Sequence, residues 1–527
     1  MRDLQTPGRS AAYGMTGMAA TSSPLATLAA VDVLRAGGNA VDAAVTASAV
    51  LCMTEPHMTG IGGDCFVLVG FADGRVVGLN GSGRAALAAD ADWLKQSGLT
   101  SIGFQSVHSV TVPGAVDAWD RLLKRYGSIS LGDALAPAIR LGEAGVPVTP
   151  RVAFDWTFEV EMLSRDPGAR QHYLKDDRAP QTGDVMRYPA LAATFKSLAK
   201  DGRDAFYAGS ISEDIVGELR ARGSLLTLED FARTEATWVE PISTHFAGHE
   251  ILEIPPNGQG ITALIALNIL SRFDLARYGA ESVERRHLEI EAIKLAWVLR
   301  NRYIADPGFA KVPVAEMLSD ATADRLAGLI DMNRAIEDPA LKVALPGSDT
   351  VYLTVVDRNG LAVSFINSIY ASFGSGIVTG RTGIALQNRG CNFVTTPGHP
   401  NCIGPGKRPL HTIIPAMVKK DGRIAMSYGV MGGSYQPMGH VAVALNRYVH
   451  GMDPQEAIDF PRCFPDFGQV EMERTIPAAI AAGLAEKGHR LTPAVEPLGG
   501  GQAIEVRPDG MLVGGSDPRK DGCALGC

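Results

Sequence analysis

The chain has 527 residues, of which 46% are hydrophobic and 20% charged, and its formal net charge is −8. This apolar content is ample for a large buried core, and the absence of a basic stripe argues against a nucleic-acid partner. No apolar run reaches the roughly 18 residues that a membrane helix needs, and no apolar segment follows a basic start. We therefore expect a cytoplasmic protein without a secretory signal or a membrane partner, and its seven scattered cysteines fit a reduced compartment.

The first part of the chain is predicted to be mainly helical, with short strands beside glycine-rich turns. Apolar residues at helical spacing predict helices over 23–50, 115–126 and 131–144, and a mostly helical region over 150–330. Thr227 and Ser282 precede such patterns and are predicted helix N-caps.

Strand patterns occur at a few places in this part and dominate after residue 350. A strand is predicted over 65–70, and a strand pair is predicted around the segment FAGHEILEIPPNGQG. The later strands are predicted over 350–356, 362–369, 413–419 and 423–428, and they are followed by helices over 437–450 and 454–460. Strands grouped apart from helices indicate an α+β body of layered sheets and helices, not a βαβ series.

The segment from Thr350 to Ser368 reads as a β-hairpin with a possible chemical role. Asp357-Arg-Asn-Gly360 is a strong turn signal between two alternating strands, and folding them back places Ser368 within about one residue of the position opposite Thr350. If the Asp349–Thr350 bond is cut, Thr350 gains an α-amine with an unperturbed pKa near roughly 8, which can serve as the base for its own hydroxyl. The alternative is a threonine that only packs in a strand.

Two later segments could complete such a site. Gly432-Gly433 follows a predicted strand and precedes a predicted helix, so its amides could hold a developing oxyanion, although such a turn is usually only a turn. The segment GPGKRPLHTIIP carries Lys407, Arg408 and His411 before a buried strand. Its alternative interpretation is a solvated basic turn capped by a core histidine.

Together these segments resemble the γ-glutamyltranspeptidase family of N-terminal-nucleophile hydrolases over nearly the whole chain. The matching segments, in the family's order, are VLRAGGNAVDAAV, EPHMTGIGGDCF, VPGAVDAW, RYGSISL, LTLEDFA, NRYIADPGF, TVYLTVVDRNGLAVSFINSIYASFGSGI, GPGKRPL, GVMGGSY and GGSDPR. The resemblance implies a four-layer αββα sandwich with no cofactor and no metal. It also implies self-cleavage between Asp349 and Thr350 into a large subunit, 1–349, and a small subunit, 350–527. The two chains would form a heterodimer, which can pair further into a dimer of heterodimers.

The same resemblance assigns the catalytic roles. Thr350 attacks an amide carbonyl while its own amine moves the protons, and the amides of Gly432 and Gly433 hold the oxyanion. Ser368 stands in the place of the family's assisting threonine and keeps the hydroxyl.

The substrate pocket departs from the family pattern. The asparagine that contacts the substrate amine is replaced by Tyr370, and the acidic residue that pairs with this amine is replaced by Asn392. The paired serines that bind the carboxylate become His411 and Thr412, and a glutamine on the pocket rim becomes Arg389.

One further position is displaced. The family's carboxylate-binding arginine would fall near Ser82, and the nearest arginine, Arg84, stands two residues away. The loop between Asn392 and Lys407 is also short, so the usual lid over the glutamyl pocket looks trimmed.

These departures favour a small acid with an amide but no α-amine. A buried ammonium without a carboxylate is costly, and Arg389 is placed to fork onto a carboxylate; its alternative role is a surface ion pair. Within the family this pattern is similar to the oxamate amidohydrolases of purine breakdown, which convert oxamate to oxalate and ammonia.

Other functions stay open at this point. A γ-glutamyl hydrolase or transferase acting on glutathione, and an acylase on glutaryl-type amides, would use the same nucleophile. A non-enzymatic relative would not cleave itself, whereas Thr350, Ser368 and the Gly-Gly turn are intact. A metal enzyme is disfavoured because no H-E-x-x-H motif or close His/Asp cluster occurs.

Overall fold

The structure is a computed structural model that describes residue 5 and residues 8–337, 350–466 and 468–527. Asp349, the residue predicted to precede the cut, lies outside the described residues. The helices are α1 Pro24–Arg35, α2 Ala40–Thr54, α3 Ala91–Ser97, α4 Ala115–Tyr126, α5 Leu131–Ala144, α6 Pro150–Trp156, α7 Val160–Arg165, α8 Pro167–Tyr173, α9 Pro189–Asp201, α10 Asp204–Tyr207, α11 Ser210–Ala221, α12 Leu228–Ala232, α13 Gly260–Leu270, α14 Val283–Tyr303, α15 Val314–Met317, α16 Asp320–Ala327, α17 Gln436–Tyr448, α18 Pro454–Asp459 and α19 Ala478–Glu486.

The strands are short, and most of them belong to two large sheets. They are β1 Ala12–Gly14, β2 Gly17–Thr21, β3 Asp64–Gly70, β4 Val76–Gly81, β5 Val146–Pro147, β6 Val185–Met186, β7 Thr237–Val239, β8 Ile242–Phe246, β9 His249–Glu253, β10 Val351–Asp357, β11 Ala362–Ser368, β12 Ala416–Lys420, β13 Arg423–Met431, β14 Cys463–Asp466, β15 Gln469–Met472, β16 Leu491–Pro493, β17 Gly500–Val506, β18 Leu512–Ser516 and β19 Cys523–Gly526.

Both large sheets are antiparallel and have seven strands in the described part of the chain. One sheet has the order β19-β2-β10-β11-β3-β4-β7, and the other has the order β1-β18-β17-β13-β12-β9-β8. The prediction of a mixed sheet-and-helix body without a βαβ series is confirmed. In both sheets, strands from before residue 350 neighbour strands from after it.

The sheets pack on each other through apolar side chains. Met18 and Leu68 of one sheet share a buried cluster with Leu252 and Met417 of the other. Because side chains alternate between the faces of a strand, the neighbours of these residues point the opposite way. On the opposite face of the first sheet, Val67 belongs to a second buried cluster that includes residues of α2, α4 and α5. On the opposite face of the other sheet, residues of β12 and β13 belong to a third cluster with α13, α14 and α17.

The hairpin predicted at residue 350 is confirmed in type and register. Val351 pairs with Asn367 and Val356 pairs with Ala362. The Asp357 carboxylate accepts hydrogen bonds from the amides of Asn359 and Leu361 in the turn, and from the amide of Ala40 at the start of α2. The turn is therefore fixed both internally and to the helix that packs on the hairpin.

Two predicted elements differ from the structure. The single helix predicted over 23–50 is two helices, because Gly37 adopts a left-handed φ of 95° and Asn39 then caps α2 in a capping box. The strand predicted from residue 413 begins at Ala416, because the Ile414 amide donates to Gln436 Oε1 instead of to a neighbouring strand.

Several other predictions are confirmed. Helices α4 and α5 have the predicted bounds, and Thr227 and Ser282 accept the capping hydrogen bonds expected of them. Strands β8 and β9 form the predicted pair. None of the helices in the described residues is both long enough and apolar enough to cross a membrane.

Candidate active site

The candidate nucleophile lies where three neighbouring strands meet. Thr350 stands one residue before β10, Ser368 ends β11, and Asp64, which starts β3, pairs with Ser368. The antiparallel register brings Thr350 Oγ1 to 3.1 Å from Ser368 Oγ, and both residues are fully buried. The two predicted hydroxyl groups are therefore in hydrogen-bond contact.

Ser368 is the centre of a small polar cluster. Its Oγ accepts a hydrogen bond of 2.8 Å from the Tyr370 amide and one of 3.2 Å from Arg389 Nη2. Tyr370 has a φ of 82°, a conformation that side chains other than glycine rarely adopt. The chain thus turns sharply after β11, and such strained residues concentrate at functional sites.

Arg389 is fully buried and has no carboxylate in contact among the described residues, although the charge of Asp64 acts on it at longer range. Its Nη1 donates to Thr412 Oγ1 at 2.6 Å, and its guanidinium carbon lies 4.1 Å from the centre of the Tyr370 ring. Within the described residues no carboxylate oxygen lies within 4.0 Å of it, and its Nε has no hydrogen-bond partner. Burial lowers the pKa of Arg389 to about 10. The alternative of a surface ion pair is wrong.

His411 is held by Asp64 and is neutral. Burial, with the nearby charge of Arg389, lowers the pKa of His411 to about 3. Its Nδ1 accepts from the Ile413 amide, so its Nε2 carries the hydrogen and donates to Asp64 Oδ2 at 3.0 Å. The other Asp64 oxygen accepts from the amides of Gly83 and Gly114 and from a glutamine side chain, Gln387. This carboxylate is already occupied by protein donors.

Of the remaining predicted pocket residues, Asn392 lies beside Tyr370, whereas Arg84 lies outside this cluster. Asn392 donates to the carbonyl of Leu410 at 3.1 Å. Arg84 is about one-third exposed; its Nη1 lies 3.5 Å from an Asp306 carboxylate oxygen and donates to the Gly406 carbonyl. The structure thus brings Thr350 together with Ser368 and Arg389, and it gives Arg84 partners outside this cluster.

The basic segment before β12 is not a solvated turn. Lys407 and Arg408 are both buried. Lys407 Nζ donates to the Cys402 carbonyl at 2.9 Å, and Arg408 Nε donates to the Ser82 carbonyl at 3.0 Å. Both side chains therefore stabilise neighbouring loops through hydrogen bonds to main-chain carbonyls.

The Gly432-Gly433 turn borders the same cavity as Thr350. Its φ values are 115° and 54°, both left-handed, and the turn follows β13 directly. The cavity has a volume of about 340 Å³, and its wall includes Thr350 and Gly432. The wall also carries charged residues that the sequence did not reveal, so a polar leaving group can be accommodated beside the threonine. The basic ones are Arg151 and Lys520, and the acidic ones are Glu159, Asp466, Glu471 and Glu496.

Two further residues that the sequence did not reveal support this turn from behind. Gln259 Nε2 donates to the carbonyls of Gly433 and Thr412 at 2.9 and 2.8 Å. Arg300 Nη1 in turn donates to Gln259 Oε1 at 2.9 Å. In the sequence, Gln259 stood only in a turn motif and Arg300 only in a helix, and no local pattern shows that they meet.

One cluster has the residue types of a metal site. Ligand atoms of His287, Glu291 and His489 lie within 4.8 Å of one another. The ammonium of Lys294 already donates to Glu291 at 2.7 Å, and His287 Nδ1 lies 2.8 Å from His489 Nε2 as a hydrogen-bonded pair. None of the three lines the cavity at Thr350.

Comparison with known proteins gives a consistent set of similarities. The family model described as Gamma-glutamyltranspeptidase matches residues 26–527. The chain is 37% identical to the glutathione hydrolase-like YwrD proenzyme of Bacillus subtilis (strain 168), covering 97% of this chain and 99% of that protein. It is 36% identical to the oxamate amidohydrolase proenzyme of Klebsiella pneumoniae subsp. pneumoniae, covering 97% and 98%. The crystal structure of cephalosporin acylase from Bacillus halodurans aligns with a TM-score of 0.93 at 40% identity, covering 100% and 99%.

Proposed function

Because this chain belongs to the gamma-glutamyltranspeptidase family of N-terminal-nucleophile hydrolases and is a hydrolase of amide bonds, we propose that it cuts itself before Thr350 and then hydrolyses a small acid amide. The leading substrate is oxamate, which would give oxalate and ammonia and place the protein in purine breakdown. The proenzyme names of its relatives support the self-cleavage.

The reaction uses groups of this chain alone. The α-amine of Thr350 takes the hydroxyl proton, and Oγ1 attacks the amide carbon to form a tetrahedral intermediate. The amides of Gly432 and Gly433 stabilise its oxyanion. The C–N bond breaks as the amine returns the proton to the leaving nitrogen, and water then hydrolyses the ester, freeing the acid and Thr350. Ser368, 3.1 Å from Oγ1, orients the attacking hydroxyl.

The observation that carries the choice of substrate is the buried charge of Arg389, which has no carboxylate oxygen within 4.0 Å in the described residues and only the longer-range charge of Asp64 acting on it. A guanidinium in a dry interior is costly until an anion neutralises it, and a carboxylate fits its fork. The same charge repels an ammonium, and Asp64 is already occupied by protein donors. The described residues around Arg389 therefore offer no free carboxylate to the amine of a γ-glutamyl group.

The position of Arg389 also favours a short acid. Its Nη2 contacts Ser368 Oγ at 3.2 Å, and Ser368 contacts the nucleophile at 3.1 Å. One hydroxyl thus separates the guanidinium from the attacking atom. In oxamate the carboxylate is bonded directly to the amide carbon, whereas a glutaryl group places three methylenes between them. Because some relatives are named acylases or glutathione hydrolase-like proteins, glutaryl-type amides and glutathione are the alternative substrates.

We further propose a four-layer αββα body made of two chains, 1–349 and 350–527. The apolar clusters between the two sheets, and between each sheet and its helices, support the layers. Both segments contribute strands to each sheet and pair with each other there, which supports a stable heterodimer after the cut. Nothing in this mechanism calls for a cofactor.

The test is ammonia release from oxamate, measured beside glutamate release from glutathione and ammonia release from the glutaric acid monoamide. Protein checked for self-cleavage is compared with Thr350→Ala. Ammonia from oxamate alone, absent in the variant, is the expected result. Glutamate from glutathione would show that the pocket accepts an ammonium, and activity on the longer monoamide alone would return the assignment to a glutaryl-type acylase.

A further inference from the structure

A second buried arginine lies beside the first. Arg300, near the end of α14, is fully buried, and no carboxylate oxygen of the described residues lies within 4.0 Å of its side chain. Its Nη1 bonds to Gln259 and its Nε bonds to Asn301 Oδ1 at 3.0 Å. Its Nη2 has no hydrogen-bond partner within the described part of the chain.

The two arginines share their surroundings. Gln259 accepts a hydrogen bond from Arg300 and donates one to the main-chain carbonyl of Thr412. The side-chain hydroxyl of Thr412 in turn accepts a hydrogen bond from Arg389. Tyr370, whose ring lies under Arg389, is also within the electrostatic range of Arg300. Burial raises the pKa of the Tyr370 hydroxyl, and the charges of both arginines oppose that rise.

The two guanidinium groups are costly to bury together. Each buried guanidinium leaves one N–H group without a partner, Nε in Arg389 and Nη2 in Arg300. Burial lowers the pKa of each to about 10, so both stay charged at neutral pH. Two buried positive charges without a carboxylate in contact are costlier than one, even with the longer-range charge of Asp64 acting on Arg389, and an anionic ligand would neutralise them and complete their hydrogen bonds.

We propose that Arg300 is a second guanidinium of the acid-binding pocket, so that the substrate carboxylate is held between Arg300 and Arg389. This inference rests on the proposed function and deepens it, because it names a residue that sets the preference for an acid over a neutral amide. Arg389 orients the carboxylate near Ser368, and Arg300 binds it from the side of Gln259 and the glycine turn. A ligand that replaces the carboxylate by a neutral group loses both contacts.

The competing role for Arg300 is purely positional. Through Gln259 it could hold only the carbonyl of Gly433, and so the oxyanion turn. That role would affect every amide substrate alike, whereas a carboxylate contact affects acids only. The comparison of oxamate with oxamide, its neutral isostere, separates the two.

The experiment compares wild-type protein with Arg300→Gln, Arg300→Lys and Gln259→Leu, each checked for self-cleavage and for its melting temperature. Turnover of oxamate and oxamide is measured, together with calorimetric binding of oxalate. We expect Arg300→Gln to lower kcat/KM for oxamate and to raise the Kd of oxalate by at least about 30-fold, with oxamide changed by less than about threefold. Arg300→Lys should fall between. Gln259→Leu should slow both substrates, because it removes the donor to the Gly433 carbonyl as well as the acceptor of Arg300.

Equal losses on oxamate and oxamide in Arg300→Gln, with unchanged oxalate binding, would overturn the inference. If wild-type protein hydrolyses no acid amide but binds oxalate in an Arg300-dependent way, the proposed function fails and the inference stands. If wild-type protein hydrolyses oxamate and Arg300→Gln does so with unchanged KM, the proposed function stands and the inference fails. If Arg300→Gln does not fold, the same comparison is made with Arg300→Lys.

Discussion

A guanidinium in a dry interior needs an anion, and Arg389 has no carboxylate within 4.0 Å in the described residues. At the scale of single residues, the ligand preference near Thr350 depends on which charged side chains already have hydrogen-bond or ion-pair partners. Asp64 has several donors, His411 is neutral, and Arg389 has only hydroxyl groups. The cluster around Arg389 is thus prepared for a negative group.

Replacing Arg389 tests this charge assignment. Arg389→Ala should weaken binding of oxamate by roughly 2–4 kcal/mol, because the carboxylate loses a buried, charge-assisted partner. Arg389→Lys should lose part of this binding, since an ammonium cannot form the fork. The measurement is KM for oxamate, with Arg165→Ala, at an exposed helical ion pair, as the control. An unchanged KM in Arg389→Ala would remove the residue from the pocket.

The neutral state of His411 makes stability depend on pH. Its pKa is about 3 in the folded protein and near 6.5 when unfolded, so between these values the unfolded chain binds more protons and stability falls as the pH falls. Near pH 5 this one residue contributes a slope of up to about 1.4 kcal/mol per pH unit. Urea unfolding at pH 7 and pH 5 should show a smaller loss for His411→Gln than for wild-type protein. Equal losses would contradict the assignment.

At the scale of elements, the site depends on the ends of strands β3, β10 and β11 and on the turn that follows β13. The hairpin register sets Thr350 against Ser368, and the left-handed pair Gly432-Gly433 redirects the chain after β13. A Cβ on Gly432 would lie 3.0 Å from Gly499 Cα, so a side chain there would be strained by the left-handed backbone and would push the neighbouring backbone at Gly499 by a few tenths of an ångström.

Gly432→Ala should therefore lower turnover by about 100-fold or more, because it displaces the amides that hold the oxyanion. Gly451→Ala is the matched control: it also has a left-handed φ, 68°, but no atom within 4 Å of the added Cβ. Both should lose roughly 1 kcal/mol of stability from the strained backbone. Equal turnover in the two variants, measured on the cleaved proteins, would argue against an oxyanion role for the turn.

The sequence predicts the helices and strands better than it predicts the site residues that come from distant parts of the chain. Period-two and helical patterns, turn residues and caps are local, so α4, α5 and the hairpin at Thr350 could be placed from them. Gly37 and the cap Asn39 end α1 and begin α2, but the apolar pattern continues across them and therefore predicts a single helix. Gln259 and Arg300 lie far from Thr350 in sequence, and only packing brings them together.

At the scale of the whole molecule, the proposed cut divides sheets and leaves no separate domains. Strands β10 and β11 lie between β2 and β3, and β13 and β12 lie between β17 and β9. Separating residues 1–349 from 350–527 would break backbone pairing at three places in the first sheet and at two places in the other, at β1/β18 and β12/β9.

The cleaved protein should therefore behave as one particle. We expect both chains to elute together in size-exclusion chromatography without denaturant, and to separate only after unfolding in a single cooperative transition. Uncleaved Thr350→Ala protein serves as the control for size and should unfold over a similar range. Chains that separate in native buffer would contradict the interleaved arrangement.

The central claim is that Thr350 cuts the chain and becomes its N-terminal nucleophile. The most direct measurement is the intact mass of purified wild-type protein, beside Thr350→Ser and Thr350→Ala, under denaturing conditions. We predict two chains of about 37 and about 19 kDa from wild-type protein, by their share of the residues of the 55.7 kDa chain, with the smaller beginning at Thr350. Thr350→Ser should also be cut, because it keeps the hydroxyl, and Thr350→Ala should stay whole. Two chains from Thr350→Ala, or a cut at another residue in active wild-type protein, would contradict the account.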